Sequence, residues 1–299
     1  MKILILGVTG MLGNAIFSYL SSLKSFAVFG TIRNKKLISC FKNNESKIIA
    51  EVNALNSNQL KVVINAIKPH YVINCVGAIK QREIGNNPLQ AIPLNAHLPH
   101  VLSKLAYDSN SKFIQFSTDC VFSGKVGGYT ENSLPDANDI YGKTKLLGEV
   151  VNNSSITLRT SIIGHELAGN TSLLDWFLSQ KDSVKGYSKA IFTGLPAVEI
   201  AAVLENIFIN HPNLHGLYHL SSNKISKYDL LQLIKKVYKK DINIIDSDEL
   251  IIDRSLNSNL LKSKIGYIPP SWEVLIDKMY RYSGKYNNVW QSVKDERNA

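Results

Sequence analysis

The chain has 299 residues, of which 44% are hydrophobic, 9% aromatic and 19% charged, a globular composition that excludes fibrous, disordered and membrane-embedded classes. Its 34 Lys and Arg against 24 Asp and Glu leave a net charge of +10, which suggests an anionic partner: nucleic acid, an anionic membrane or a phosphorylated small molecule. The three cysteines, Cys40, Cys75 and Cys120, are odd in number and show no metal-ligand spacing, so neither a disulfide framework nor a metal is expected and a reducing compartment is.

This length suits one large or two small domains. No stretch approaches the ~18 to 20 consecutive apolar residues that span a bilayer, and the run Ile3-Leu4-Ile5-Leu6 behind Lys2 stops at Gly7, too early for a signal-peptide core. A cytoplasmic protein without a membrane partner is therefore expected. In chain order, Lys2 to Leu6 reads as a short buried strand and Met11 to Leu20 as a helix. Ser25 to Ile32 is a second strand that ends in the basic cluster Arg33, Lys35 and Lys36, and Lys47 to Val52 a third, before a helix from Asn58 to Ile67. Tyr71 to Val76 is again a continuous apolar run, Asn95 to Tyr107 a helix and Lys112 to Phe116 a strand; Leu146 belongs to a helix, Ile156 to Arg159 to a strand and Ala197 to Ile209 to a helix. Continuous apolar runs alternating with amphipathic helices predict βαβ units around a parallel sheet buried on both faces. Beyond residue 165 the alternation becomes irregular. Leu173 to Leu178, Tyr228 to Tyr238 and Trp272 to Tyr282 read as helices, Pro269-Pro270 as a break, and Lys235 to Lys240 (KKVYKK) as a solvated helix end. The expected fold is α/β: a Rossmann-type doubly wound parallel sheet with a smaller C-terminal substrate lobe. The expected division is a dinucleotide-binding domain over 1–165, to which 191–223 returns, and a substrate lobe from 166–190 and 224–299.

The first turn, GVTGMLG, spaces Gly7, Gly10 and Gly13 three apart. Directly after a buried first strand and before a helix, the first glycine permits the tight turn, the second admits a pyrophosphate and the third lets helix and sheet pack closely, while the helix N-terminus offers free N–H groups to the anion. The same spacing without a nucleotide would be a purely structural turn. At the end of the second strand a carboxylate selects a free ribose 2′-OH and a cation suits a 2′-phosphate. Arg33 stands there, so NADPH is favoured and NADH left open. The expected cofactor site takes in Gly7, Thr9, Gly10, Met11, Leu12, Gly13, Arg33, Asn53 (facing the adenine), Val76, Gly77, Asn95, Tyr141 and Lys145.

Downstream, STDCVFSG (Ser117 to Gly124) follows a strand and Tyr141-Gly-Lys-Thr-Lys145 opens a helix. Tyr141 and Lys145, four apart, share one helix face. A tyrosine's pKa of about 10 suits proton transfer poorly, and the expectation is that the Lys145 ammonium favours the phenolate and pulls it down. Thr118, at the C-terminal end of its strand, is placed to hydrogen-bond a substrate oxygen. Thr118, Tyr141 and Lys145 are the candidate catalytic residues.

A Tyr-x-x-x-Lys match occurs readily by chance; the order glycine turn, Asn95, Ser/Thr-rich strand end, Tyr-x-x-x-Lys is what gives it weight. That order resembles the extended short-chain dehydrogenases/reductases over most of the chain. STDxVFxG, with LRTSIIG (Leu158 to Gly164) after the tyrosine helix, looks like the dTDP-4-dehydrorhamnose reductase branch. The resemblance implies NADPH-dependent reduction of the 4-keto group of a nucleotide-diphosphate 6-deoxy-4-ketohexose, in nucleotide-sugar biosynthesis for surface polysaccharide. Dehydratases of the superfamily carry Thr-Asp-Glu, and Thr118-Asp119-Cys120 lacks the glutamate; epimerases that retain NAD usually carry an acid where Arg33 stands. The reductases resembled usually have tyrosine at position 120. Cysteine there is a feature of the GDP-fucose synthase family, where it works with a histidine, and His165 falls one residue from that histidine's place. An epimerase/reductase using Cys120 and His165 is thus the alternative, against a plainer reading of Cys120 as small apolar filler. Expected substrate contacts are Lys80, Cys120, Lys185, Lys189 and Arg254, with Gln81 and Arg82 nearby. Arg254 lies in DRSLNSNLLKSKIGY, similar to the family's RPxxSxLxxxK but with Asp253 before it and Ser255 after it. Whether the sugar carries dTDP, UDP or GDP stays open, as does a homodimer. A further alternative, by resemblance to the regulatory subunit of methionine adenosyltransferase, is a non-catalytic NADP-binding subunit. No nucleic-acid partner is expected, because the cations are scattered rather than interleaved with aromatics on one face.

Overall fold

The computed structural model describes residues 1–42, 44–167 and 169–284. Its core is a seven-stranded sheet in the order β11-β6-β5-β4-β1-β2-β3, parallel throughout. In chain order the strands are β1 (Lys2–Leu6), β2 (Ala27–Thr31), β3 (Ile48–Ile49), β4 (Tyr71–Asn74), β5 (Lys112–Thr118), β6 (Ser155–Thr160) and, after four short strands introduced below, β11 (Gly216–His219). The apolar runs are continuous because helices cover both faces. In β1, Ile3 and Ile5 enter the core beneath helices α1 (Met11–Ser21) and α8 (Ala197–Asn210), whereas Leu4 and Leu6 enter the opposite core beneath α2 (Ser57–Ile67) and α5 (Leu98–Asp108). This is the doubly wound Rossmann-type arrangement. The third strand is shorter than Lys47 to Val52: at the sheet's edge it has only β2 to pair with, over two residues.

Two one-turn helices, α3 (Glu83–Asn86) and α4 (Pro88–Ala91), lead into a π-helical turn, Ile92–His97, that runs on into α5. The sequence reads there as plain helix from Asn95. Pro99 explains the difference, since it has no N–H to give the carbonyl of Asn95 and the ladder widens around it. The freed carbonyl faces helix α6 (Ile140–Leu147): a Cβ on Gly148, the residue that ends α6, would collide with Asn95 O.

The rest of the chain forms short, irregular pieces. β7 (Ile162–Ile163) pairs with β10 (Leu195–Pro196), and β8 (Ser183–Tyr187) with β13 (Asn243–Ser247). β9 (Ala190–Phe192) lies between β12 (Ile225–Ser226), antiparallel, and β14 (Ile252–Asp253), parallel. Around them sit α7 (Leu173–Ser179), α9 (Lys227–Tyr238), α10 (Asn259–Ile265) and α11 (Trp272–Gly284). Among the described residues no helix is long and apolar enough to cross a membrane.

Candidate active site

β1 and β4 are neighbours and the chain crosses from one side of β1 to the other between them, so the crevice beyond their C-terminal ends is the ligand position of an open α/β sheet. The glycine turn closes its floor. Gly7 sits at φ +81°, where side chains are strained, and a Cβ there would come within 2.8 Å of Val76 Cγ2. A Cβ on Gly13 would strike Gly7 O, so α1 packs onto the turn only through a glycine. Gly10 differs: its nearest neighbour, Gly7 O, would lie at an ordinary 3.5 Å, and it is exposed. The protein's own packing does not demand glycine at position 10, whereas a phosphate approaching the backbone does. No side chain caps α1 and no acid occupies its first turn, so its N–H groups and positive end are free for an anion. These features fit a dinucleotide. Met11 is half-buried beside Gly164, and Leu12 is buried in the core, leaving only its backbone to face a ligand; Thr9 is half-buried on the turn.

Arg33 is exposed at the end of β2, and among the described residues no acceptor engages it; Asn34 beside it caps the following turn through Lys36 N at 3.0 Å. The Asn53 side chain is already used, accepting from Leu55 N at 3.0 Å to shape the turn before α2. The Asn95 amide, 1% exposed, accepts from Ala78 N at 2.8 Å and donates to Ala78 O at 3.0 Å and Thr144 Oγ1 at 3.3 Å. It thereby ties the segment after Gly77 to α6.

Helix α6 carries Tyr141 and Lys145. Asp139 caps it by accepting from Gly142 N at 2.7 Å, and Lys80 holds Asp139 at 2.7 Å. Gly142 is required: a Cβ would hit Cys120 O and approach Ala137 Cβ to 2.6 Å, so the helix start lies directly on the turn after β5. That places Tyr141 beside Thr118, whose hydroxyl acts on the phenol. Thr118 Oγ1 also accepts from Cys120 N and donates to Asp119 Oδ1, both at 3.1 Å. Lys145 Nζ donates to Phe116 O at 2.6 Å. The three catalytic candidates are therefore gathered at the end of β5.

Their electrostatics correct one expectation. Burial pushes the Tyr141 phenol up, with the acidic groups of Cys120, Asp119 and Asp139 adding to the rise and Thr118 opposing it. Lys145 is itself pushed down to about 8 by burial, with Glu149 and Cys75 holding it up. Glu149, at the end of the tyrosine helix, belongs to a buried network absent from the motif reading. It accepts from Ser117 Oγ at 2.7 Å and from both Arg159 Nε and Nη2, at 2.7 and 2.8 Å. Arg159 lies 5.2 Å from the centre of the Phe122 ring and reaches His219 Nε2 at 3.3 Å.

On the C-terminal side, Arg254 Nε donates to Phe122 O at 2.8 Å, which brings its charge to Asp119 and Cys120. Burial pushes the Cys120 thiol up to about 12, with Asp119 adding to the rise. Lys227, which no motif singles out, acts on the same two residues. Lys185 and Lys189 are exposed and paired, with Glu249 at 2.8 Å and Asp248 at 3.1 Å. Gln81 is exposed, and Arg82 reaches Glu166 at 3.5 Å. His165 is held by Asp175 Oδ1 at 3.1 Å and Tyr238 OH at 3.0 Å. Burial thus favours a neutral thiol at position 120.

A sequence profile described as the RmlD substrate binding domain matches residues 1–282. The chain belongs to this family. The family's fold agrees with solved structures: a dTDP-4-dehydrorhamnose reductase from Clostridium acetobutylicum is 24% identical, with a TM-score of 0.78 over 95% of this chain and 100% of that one. The dTDP-4-dehydrorhamnose reductase from Bacillus anthracis, solved in complex with NADP, is 20% identical with a TM-score of 0.78 over 94% and 99%. Among characterised sequences, the methionine adenosyltransferase 2 subunit beta of Bos taurus is 26% identical over 310 aligned residues, 94% of this chain and 90% of that protein.

Proposed function

We propose that this protein is an NADPH-dependent reductase of the 4-keto group of a nucleotide-diphosphate 6-deoxy-4-ketohexose. The observation that carries the reading is the convergence of Thr118, Tyr141 and Lys145 at the end of β5, next to a glycine turn whose Gly10 leaves room for a pyrophosphate. The turn, Arg33 and Lys145 would hold the nicotinamide dinucleotide, which supplies the hydride when bound. Thr118 Oγ1 bonds the ketone oxygen. Tyr141 Oη gives its proton to that oxygen as negative charge develops; a phenol kept protonated by burial is a donor, which suits reduction rather than oxidation. Lys145 brings positive charge beside the dinucleotide's ribose and the phenol when substrate and cofactor fill the site.

The test is NADPH oxidation by purified protein against dTDP-, UDP- and GDP-4-keto-6-deoxyhexoses, with Tyr141→Phe as control. Turnover with at least one of them, lost in the control, is expected; no turnover with any refutes the reading. A second reading, an accessory subunit of a methionine adenosyltransferase, is favoured by the similarity to the Bos taurus subunit. It predicts co-purification with that enzyme and indifference to Tyr141→Phe. Retention of Thr118, Tyr141 and Lys145 together supports the enzyme first.

A further inference from the structure

The small sheet β12-β9-β14 delivers two cations to one place. Ser226 of β12 and Asp253 of β14 are both register partners of Ile191 in β9, and the residue that follows each strand is a cation, Lys227 at the start of α9 and Arg254. The sheet is fastened to the turn after β5: Asp253 N donates to Gly124 O at 2.8 Å, Arg254 Nε to Phe122 O at 2.8 Å, and a Cβ on Gly124 would lie 2.9 Å from Arg254 Cγ. Lys227 and Arg254 thus both come close enough to act on Asp119, the residue after Thr118.

The charges around that residue do not balance. Lys80 is neutralised by Asp139 at 2.7 Å, Cys120 and Tyr141 are held protonated by burial, and burial pushes the Asp119 carboxyl up as well, with Arg254 and Lys227 beside it opposing the rise. Lys227 is half-buried, yet its ammonium closes onto no acceptor among the described residues, and the terminal nitrogens of Arg254 are likewise unspent. Half-buried charged donors left without an acceptor are costly unless a ligand supplies one.

We infer that Lys227 is a substrate-binding residue that, with Arg254, takes the phosphoryl oxygens of the substrate's diphosphate. This rests on the reading of the chain as a nucleotide-sugar reductase. A guanidinium fork and an ammonium on opposite sides of one anion share its oxygens, the fork binding two and the point charge one. Lys227 escapes sequence reading because it is a lone lysine at a helix start with no spacing to mark it.

Titration of the full chain with dTDP, UDP and GDP, compared between wild type and Lys227→Met, tests this. At least one nucleotide should bind the wild type, and Lys227→Met should weaken it by about tenfold or more, the loss of one charge-assisted contact. Lys227→Arg should retain most of the affinity, and NADPH should bind all three proteins alike, which shows that the fold and cofactor site are intact. Equal nucleotide affinity in Lys227→Met and wild type overturns the assignment of Lys227 alone. A wild type that binds NADPH but none of the three nucleotides overturns both this assignment and the nucleotide-sugar reading. Loss of NADPH binding in Lys227→Met along with the nucleotide places the residue in the framework and also overturns it.

Discussion

Burial pushes the Tyr141 phenol up and the Lys145 ammonium down to about 8, so the two residues respond oppositely to pH. Tyr141 stays a proton donor through the working range, and Tyr141→Phe should cut turnover by about 10² to 10⁴-fold while leaving NADPH affinity intact, which steady-state rates and a binding titration will check. For Lys145 the unfolded value is 10.5. Below about 8 the folded chain carries a buried charge; between about 8 and 10.5 only the unfolded chain keeps the proton, so this site's contribution to stability rises with pH across that window. Under the proposed function the effect runs the other way: with the Lys145 ammonium holding the dinucleotide, NADPH binding should weaken as pH rises through about 8. Glu149, which raises Lys145, supports that charge. In Glu149→Gln the alkaline limb of NADPH binding should move to lower pH, measured as affinity against pH; an unmoved limb would show that Glu149 does not sustain Lys145.

At the scale of elements, the start of α6 depends on a single absent side chain. Gly142→Ala would drive a methyl against Cys120 O and Ala137 Cβ, and the first turn of the helix must shift, carrying Tyr141 and Lys145 with it. The expected outcome is a modest stability loss, about 1 to 3 kcal/mol, with a much larger fall in kcat, compared through denaturation midpoints and rates. Elements of this kind set what could be read from sequence. β1, β4, β5 and β6 were readable because helices on both faces make their apolar runs continuous, and the turn, Thr118, Tyr141 and Lys145 because motif order follows chain order. β7 to β10 and β12 to β14 are two to five residues long, too short for any period to declare itself. The π-helical turn around Asn95 depends on Pro99 acting through a hydrogen bond it cannot make. The Glu149 and Arg159 pair joins residues of different elements, and the sign of Tyr141's shift depends on how deeply the helix is buried; neither is a property of spacing.

Over the whole molecule, the net charge of +10 has two separable effects on anionic ligands. Contacts such as Arg33 on a 2′-phosphate act once the ligand is bound, whereas the summed field acts on encounter and reaches as far as salt allows, about 30 Å at 0.01 M and 10 Å at 0.1 M. Raising salt between those limits should lower kcat/KM for the nucleotide sugar several-fold and leave kcat nearly constant, since the field is spent before chemistry begins. Arg33→Ala should behave differently. It removes one of the 34 cations, so the encounter field barely changes, but the 2′-phosphate loses a fork of donors. The NADPH-over-NADH preference should then fall by about tenfold, with NADH kinetics and their salt dependence unaltered. If Arg33→Ala instead lowers kcat/KM equally for both cofactors, Arg33 contributes only to the general field, and the preference for NADPH must come from elsewhere in the crevice.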